Sequence, residues 1–178
     1  GSDPGLSRYK KSTVLISYIC GFMLSRWVPR LILSNTEIAC VHHQSIGYTK
    51  DKMVVIPNGF SMSEFSVSNC AKAELKKELG IDQDHFVIGM VARFDPVKAH
   101  DVFVEAAKLL TREFDDVAFV LCGEGVTLDN PQFASLIMNS GCERHFYCLG
   151  KRNDIPALTA GFDLATLCSH AEGFPNVV

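Results

Sequence analysis

From Phe86 onward the chain alternates between short apolar segments and amphipathic segments, in units of about thirty residues, the size of one βαβ unit. The apolar segments predict strands at residues 86–91, 117–122, 145–148 and 163–167. Apolar residues at helical spacing predict helices between them, around Phe103 and over residues 132–140 and 155–160. Continuous apolar strands joined by helices predict an α/β fold with a parallel sheet that is covered on both faces.

The chain before residue 60 has a less regular pattern. The nearly apolar run 13–25 predicts a largely buried helix that ends at Pro29, with contact to a membrane surface as the alternative. Arg26 and Arg30 keep this run below the roughly 18 to 20 apolar residues of a membrane span. Strands are predicted at 37–41 and 53–56, and a serine-rich linker precedes a helix predicted over 71–79.

Composition excludes several classes of protein. The net charge of −3 provides no broad basic face, which argues against a nucleic acid partner. The seven cysteines form no C-x-x-C pair, which argues against a disulfide framework and a structural zinc site and favours a reducing cytoplasm. His42 and His43 follow the strand predicted at 37–41, and neighbouring residues on a strand face opposite sides, so a shared metal ion is not expected.

Ligands of an open parallel sheet bind beyond the carboxyl ends of its strands, so the loops after the four later strands are the candidate site. Arg93 and Lys98 lie on the first loop, near the start of the next helix. A phosphorylated ligand at the helix N-terminus would explain both cations. The alternative is a solvated arginine and lysine around an Asp-Pro turn.

The other three loops also carry unusual residues. Gly123 and Gly125 leave room for a ligand to approach the backbone, although a lone Gly-x-Gly is a weak signal. Asp154 is predicted to cap the helix that follows it, and Arg152 is left as a candidate binding residue. Glu172, followed by Gly-Phe-Pro, places a carboxylate beside consecutive backbone amides and suits sugar hydroxyls, with an ordinary turn as the alternative.

Read in order, five segments resemble the family-four glycosyltransferases, which have the two-domain GT-B fold and retain the anomeric configuration. They are Val55 to Phe60, Ile88 to Lys98, Phe119 to Gly125, Phe146 to Pro156 and Ser169 to Val178. The resemblance implies a remnant of the acceptor-side domain at 1–59, a linker and helix at 60–85, and a truncated, Rossmann-like donor domain at 86–178. The donor would be a nucleotide-diphosphate sugar.

The resemblance also implies roles for individual residues. Arg93 and Lys98 would hold the diphosphate, and Glu172 would contact the transferred sugar. The remaining binding residues would be Gly123, Gly125, Arg152, Ser169, Gly173, Phe174, Pro175 and Asn176. No cofactor or metal is expected, since GT-B enzymes usually need none. The acceptor would be a glycan, a lipid-linked or a small molecule, as in polysaccharide biosynthesis, with activity in the cytoplasm or at the cytoplasmic face of the membrane.

One departure limits what the chain can do by itself. The family expects a second glutamate seven residues after Glu172, beyond the last residue of the sequence, so the chain is expected to be an inactive fragment of a longer enzyme. Two other classes stay open: a non-catalytic module that binds nucleotide sugars or polysaccharides, and a different GT-B enzyme such as an epimerase or a phosphorylase.

Overall fold

The computed structural model describes residues 11–59, 61, 70–170 and 172. These residues form two compact units, one of residues 11–59 together with Glu172 and one of residues 61 and 70–170.

The first unit contains one βαβ motif. Helix α1 (Lys11–Ile19) continues into a π-helical turn (Cys20–Leu24). Strand β1 (Ile32–Ser34), helix α2 (Glu37–Ser45), a 3₁₀ turn (Lys50–Lys52) and strand β2 (Met53–Val55) follow. The two strands pair in parallel, with Leu33 opposite Val54, so α2 is the crossover between them.

The strand predicted at 37–41 is wrong, because these residues begin helix α2. The side chain of Thr36 accepts a hydrogen bond from the amide of Ala39 at 3.1 Å and so caps the helix. Glu37 lies in the first turn, where the helix dipole favours a negative charge. His42 and His43 therefore lie on a helix, and Nδ1 of His43 is 2.6 Å from the carbonyl oxygen of Ala39.

The prediction that the first apolar run is largely buried is also wrong. Helix α1 has no buried residue, and in residues 20–25 only Gly21, within the π-helical turn, and Ser25, directly after it, are buried. A side chain at Gly21 is excluded because its Cβ would lie 2.6 Å from the carbonyl oxygen of Ile46. In the part of the chain that the structure describes, none of the helices has the length and apolar character needed to cross a bilayer.

The second unit is a four-stranded parallel sheet. Its strands are β3 (Phe86–Val91), β4 (Val117–Cys122), β5 (Phe146–Cys148) and β6 (Leu164–Ala165), in the order β5-β4-β3-β6. Its helices are α3 (Ala71–Leu79), α4 (His100–Leu110), α5 (Pro131–Met138) and α6 (Ile155–Ala160). The predicted α/β fold with a parallel sheet is confirmed.

Alternate residues of the central strand β4 supply two separate cores. Phe119 and Leu121 pack on one face with residues of α4 and α5, such as Phe103 and Phe133. Ala118, Val120 and Cys122 pack on the other face with Leu75 of α3 and Leu158 of α6. All six residues of β4 are buried, as expected for a strand with helices on both faces.

The two outer strands are shorter than predicted. His145 belongs to a 3₁₀ turn (Glu143–His145), and β5 begins at Phe146. Asp163 precedes β6, and its carboxylate accepts a hydrogen bond from the amide of Val87 at 2.9 Å and pairs with Lys72. Only Leu164 and Ala165 pair with β3.

Candidate functional site

Backbone hydrogen bonds join the loops at the carboxyl ends of the four strands. The amide of Phe94 donates to the carbonyl of Glu124 at 2.7 Å, which ties the β3 loop to the β4 loop. The amide of Gly123 donates to the carbonyl of Gly150 at 2.8 Å, which ties the β4 loop to the β5 loop. The amide of His170, after β6, donates to the carbonyl of Val97 at 2.9 Å. The four loops therefore form one connected edge of the sheet.

Arg93 and Lys98 both lie on the loop after β3. The side chain of Arg93 is 67% exposed, and its guanidinium lies 3.6 Å from the carboxylate of Asp95. Asp95 also shapes the loop, because its side chain accepts from the amide of Val97 and its carbonyl accepts from the amide of Lys98, both at 2.9 Å. This turn (Pro96–Lys98) places Lys98 two residues before α4 begins, so the lysine precedes the helix.

A strained residue and a buried histidine follow directly. Ala99 has φ +51°, and it is the only residue other than glycine with a positive φ in the described ranges. Its methyl group and the ring of His100 are both buried. Sequence reasoning missed His100; the signal was a polar residue on the apolar face of an amphipathic helix.

Gly123 is required by the loops themselves. A Cβ at this position would lie 2.1 Å from the carbonyl oxygen of Ala92 and 2.8 Å from the amide nitrogen of Arg93. Gly125, at φ +76°, allows Phe94 to pack closely, since a Cβ there would lie 3.3 Å from the Cβ of Phe94. These glycines bring the backbone of the β4 loop against the loop that carries Arg93, and contact with a ligand stays a prediction.

Arg152, on the loop after β5, is bound by two carboxylates. Its Nε donates to Asp154 at 2.9 Å, and the guanidinium also pairs with Glu78 of α3. The hydrogen bonds that Arg152 donates to these carboxylates raise its pKa, and the guanidinium in turn lowers the pKa of Asp154. The predicted side-chain cap by Asp154 is wrong, because its carboxylate binds Arg152 and makes no capping hydrogen bond.

The loop after β6 is described only in part. The Ser169 hydroxyl is buried and has no hydrogen-bond partner within residues 11–59, 61, 70–170 and 172. Glu172 is half-buried and belongs to the first unit. The predicted binding residues Gly173, Phe174, Pro175 and Asn176 lie outside the described residues.

Acidic residues occur at the opposite edge of the sheet. Asp82 and Asp84 form an Asp-x-Asp sequence in the turn before β3, at the amino ends of the strands and away from the four loops. Within the residues whose placement is described, no three His, Cys, Asp or Glu side chains form a group that could hold a metal ion. The seven cysteines are free thiols, and burial raises the pKa of Cys148 to about 11.

Known proteins are similar to this chain in sequence and in fold. EpsF of Bacillus subtilis is 29% identical over 157 residues, which is 84% of this chain and 40% of EpsF. An N,N'-diacetylbacillosaminyl-diphospho-undecaprenol alpha-1,3-N-acetylgalactosaminyltransferase of Campylobacter jejuni is 34% identical over 80% of this chain and 36% of its own length. The crystal structure of Anabaena HepE in complex with UDP and glucose matches 96% of this chain and 46% of its own, with 24% identity and a TM-score of 0.80.

The chain thus spans less than half the length of each of these three proteins. The family model described as "Glycosyl transferases group 1" matches residues 71–178, which include all four loops and more than half of the sequence. The chain belongs to the group 1 glycosyl transferases.

Proposed function

We propose that this chain supplies the donor-binding site of a retaining glycosyltransferase. The enzyme would transfer the sugar of a nucleoside-diphosphate sugar to a hydroxyl group of an acceptor. Residues 86–178 would form the donor domain, residues 60–85 the linker and its helix, and residues 1–59 part of the acceptor-side domain. Membership in the family supports the reaction class, and the HepE complexes with UDP and with UDP-glucose support the donor class.

The observation that carries the proposal is the pair of cations on the loop after β3. Arg93 has a largely exposed guanidinium, and Lys98 lies two residues before the N-terminus of α4. Backbone amides and the positive end of a helix dipole attract phosphate at such a position. Arg93 adds planar donors that suit phosphate oxygens, and Lys98 adds a compact positive charge.

These charges suit the chemical step. As the bond between the anomeric carbon and the diphosphate breaks, the bonding electron pair stays with the diphosphate and negative charge grows on its oxygens. Cations that are already in place stabilise this charge without reorganisation of solvent. We expect that Arg93 and Lys98 carry out this role and that the reaction needs no divalent cation, so activity should persist in a chelator.

Glu172 and the loop around it are proposed to hold the sugar. A carboxylate can accept hydrogen bonds from sugar hydroxyls and stabilise positive charge on the ring. The buried Ser169 hydroxyl without a partner among the described residues supports a ligand on this loop, since an unsatisfied buried hydroxyl costs about 1 to 3 kcal/mol. Contacts from Gly123, Gly125, Arg152 and the residues 173–176 stay predictions.

Ligand-induced thermal shift tests the donor class. The full-length protein is screened with UDP, GDP and ADP and with their glucose derivatives, because a ligand that binds the folded state raises the midpoint of unfolding. We expect one nucleoside diphosphate to raise this midpoint and neither Arg93→Ala nor Lys98→Ala to retain the shift. If no nucleoside diphosphate produces a shift in the wild-type protein, the proposal is wrong.

A second assay separates an enzyme from a binding module. The ligand that shifts the midpoint is offered as its sugar derivative with a mixture of glycan, lipid-linked and small acceptors, and release of the free nucleoside diphosphate is measured. Acceptor-dependent release identifies a transferase. Binding without release under all these conditions would identify a non-catalytic module. The configuration of the product, read by NMR, tests retention.

We also propose that the first unit contacts a membrane. Phe22, Trp27 and Val28 are 79%, 85% and 70% exposed, and the exposed Arg26 and Arg30 lie beside them. Apolar side chains flanked by arginines suit the interface of an anionic bilayer. The free thiols fit a reducing compartment, so the cytoplasmic face of the membrane is the proposed location.

The single tryptophan makes this contact measurable. Anionic phosphatidylglycerol vesicles should shift the Trp27 emission to shorter wavelength, and neutral phosphatidylcholine vesicles should do so less. Arg26→Gln combined with Arg30→Gln should weaken the response. An unchanged emission with anionic vesicles at low salt would exclude the membrane contact. A shift that occurs only when another protein is added would show that this surface binds a protein instead.

A further inference from the structure

His100 is a buried imidazole at the start of α4. The residue is 3% exposed, and neither ring nitrogen has a hydrogen-bond partner within residues 11–59, 61, 70–170 and 172. A second buried histidine, His145, differs, because its Nδ1 lies 2.8 Å from the carbonyl oxygen of Val117 and its Nε2 accepts from Arg144 at 3.1 Å. The surroundings of His100 therefore suit an uncharged ring, since an imidazolium would bring two N–H donors and a buried charge to this position.

The ring of His100 lies where three elements meet. It is edge-on to Phe94 of the β3 loop, with 5.5 Å between ring centroids, and to Phe133 of α5, with 6.0 Å. The two phenylalanine rings are 5.3 Å apart, so the three rings form one cluster. Phe94 directly follows Arg93 in the sequence. The cluster therefore joins the loop that carries Arg93 to α4 and to α5.

The charges on the element that carries the ring mostly disfavour a further positive charge. His100 begins α4, where the helix dipole is positive, and Lys98 lies two residues earlier. Burial lowers the pKa of His100 below its ordinary value of 6.5, and Lys98 acts in the same direction. Asp101 acts in the opposite direction, as does the backbone of Ala92, which lies near the ring without hydrogen-bond geometry.

The elements packed against the ring offer little compensation for a charge. On the β3 loop, Arg93 and Asp95 lie 3.6 Å apart and pair with each other. Helix α5 contributes Phe133 to the cluster, and its sequence contains no titratable residue. Asp101 is thus the carboxylate that favours a charged ring, and burial outweighs it.

The residue before the ring stores strain that would be relieved if the ring moved. Ala99 has φ +51° and ψ +51°, angles that are unfavourable for a residue with a Cβ. Strain of this kind persists where surrounding contacts hold it, and Ala99 is itself buried beside His100. Movement of His100 to solvent would let Ala99 return to ordinary backbone angles, so relief of strain favours such a movement.

We propose that His100 is a pH-sensitive switch that holds or releases the loop after β3. The neutral ring stays between Phe94 and Phe133 and holds the loop against α4 and α5. When the imidazole takes up a proton, the charged ring moves to water, the cluster opens, and Arg93 and Lys98 lose their fixed places. The proposal rests on the proposed function only for one consequence, which is that acid then weakens diphosphate binding.

His100→Phe in the full-length protein tests the switch, because phenylalanine keeps an aromatic ring in the cluster and cannot take up a proton. A histidine whose pKa is lower in the folded state leaves stability intact above its ordinary pKa and reduces stability as pH falls below that value. Between about pH 7.5 and about pH 5.5, the unfolding equilibrium constant of the wild type should therefore rise relative to that of His100→Phe, by up to about tenfold. Urea unfolding at both pH values measures this ratio.

Amide hydrogen exchange locates the effect of acid. At about pH 5.5, residues 92–104 should exchange faster in the wild type than in His100→Phe, and the difference should be smaller in β4. At about pH 7.5 the two proteins should exchange alike. His170→Asn is the control, because this exposed histidine also follows a strand of the sheet, and its amide donates to Val97. It should keep the wild-type response to pH.

Three results would overturn the switch. One is an equal response to pH in the wild type and in His100→Phe. Another is an equal change of exchange in residues 92–104 and in β4, which would show that acid unfolds the whole unit. His100→Leu, which has a smaller side chain, guards against poor fit of the phenyl ring. If both variants are less stable than the wild type at about pH 7.5, the neutral imidazole stabilises the fold and the switch is wrong.

Calorimetric titration connects the switch to the proposed function. UDP, GDP or ADP, whichever gives the largest thermal shift, is titrated at both pH values, and its own protonation affects wild type and His100→Phe equally. If half of the wild-type molecules are released at about pH 5.5, their Kd should double relative to that of the variant. Faster exchange of residues 92–104 without binding of any nucleoside diphosphate would support the switch and contradict the proposed function. Binding with the same pH dependence in both proteins would contradict the switch and leave the proposed function standing.

Discussion

Two arginines follow strands of the same sheet, and they differ in how their charge is used. Arg93, on the loop after β3, is 67% exposed and has one carboxylate at 3.6 Å. Arg152, on the loop after β5, is 21% exposed and is bound by both Glu78 and Asp154. Arg93 and Asp95 sum to zero charge, whereas Arg152 and its two carboxylate partners sum to a negative charge.

We propose that this difference separates a binding residue, Arg93, from a structural one, Arg152. An arginine held by two carboxylates has its donors occupied and connects α3 to the start of α6. An arginine at the end of a strand with its guanidinium in solvent keeps its donors for a ligand. We therefore expect the diphosphate to bind the loop after β3, and the substitutions below test that comparison.

The largest effect is expected from the cations of the β3 loop. Arg93→Ala or Lys98→Ala in the full-length enzyme should lower kcat/KM by about a hundredfold, because one preorganised charge at the leaving group is lost. Lys151→Ala is the control, since this exposed lysine lies on the β5 loop next to Arg152. Steady-state kinetics of all three variants check the expectation. Near wild-type rates for Arg93→Ala would remove the distinction between the two loops.

The next largest effect, on the free energy of unfolding, is expected at Gly123, whose backbone packs against the β3 loop. Gly123→Ala would place a Cβ 2.1 Å from the Ala92 carbonyl oxygen, and we expect it to lower the unfolding free energy by about 3 kcal/mol. Gly141→Ala is the control, because Gly141 also has a positive φ, +73°, but has no atom within 4 Å of the added Cβ. It should lose only about 1 kcal/mol. Urea unfolding of both variants measures the difference, and equal losses would show that the contact between the loops is not tight.

The sequence predicts buried strands better than exposed ones, and the reason is physical. Strands β3 and β4 match their predicted bounds because both faces are covered and their apolar runs are continuous. Strand β6 pairs through two residues only, and its predicted first residue, Asp163, binds the Val87 amide instead. Strand β6 therefore begins one residue later than its apolar pattern suggests, at Leu164.

At helix α2 the error was in the type of element, because a strand was predicted at 37–41 where the helix begins. Its first five residues contain isoleucine and valine and were short enough for a strand, but the Thr36 cap and Glu37 in the first turn were helix signals in the same sequence. For the candidate site, the spacing of loops after strands predicted where Arg93 and Lys98 lie. Spacing could not predict that Glu78, far away in sequence, binds Arg152, since that contact depends on how α3 packs on the sheet.

A smaller effect on the free energy of unfolding is expected at Ala99, the residue with left-handed backbone angles in the β3 loop. The β5 loop uses Gly150 at φ +66°, whereas the β3 loop uses Ala99 at φ +51°. Ala99→Gly should raise the unfolding free energy by about 0.5 kcal/mol, because relief of strain exceeds the entropy of the added glycine. Ala107→Gly, at an equally buried position inside α4, should lower it by about 1 kcal/mol. The same sign for both variants would mean that Ala99 is not strained.

The smallest effect is expected from Arg152→Ala. Both of its partner carboxylates are about half exposed, so the loss of stability should be below about 1 kcal/mol. Affinity for the nucleoside diphosphate should change less than twofold, in contrast to Arg93→Ala. Calorimetric titration beside urea unfolding measures both quantities.

The pH dependence of this loss identifies its origin. The hydrogen bond from Arg152 lowers the pKa of Asp154 below its ordinary value of 3.8. A carboxylate whose pKa is lower in the folded state stabilises that state above its unfolded pKa and loses this effect as pH falls through the folded pKa. The stability difference between wild type and Arg152→Ala should therefore hold from pH 7 down to about 4 and shrink below that. If instead Arg152→Ala weakens nucleotide binding as much as Arg93→Ala does, both loops hold the diphosphate and the division of roles between the two arginines is wrong.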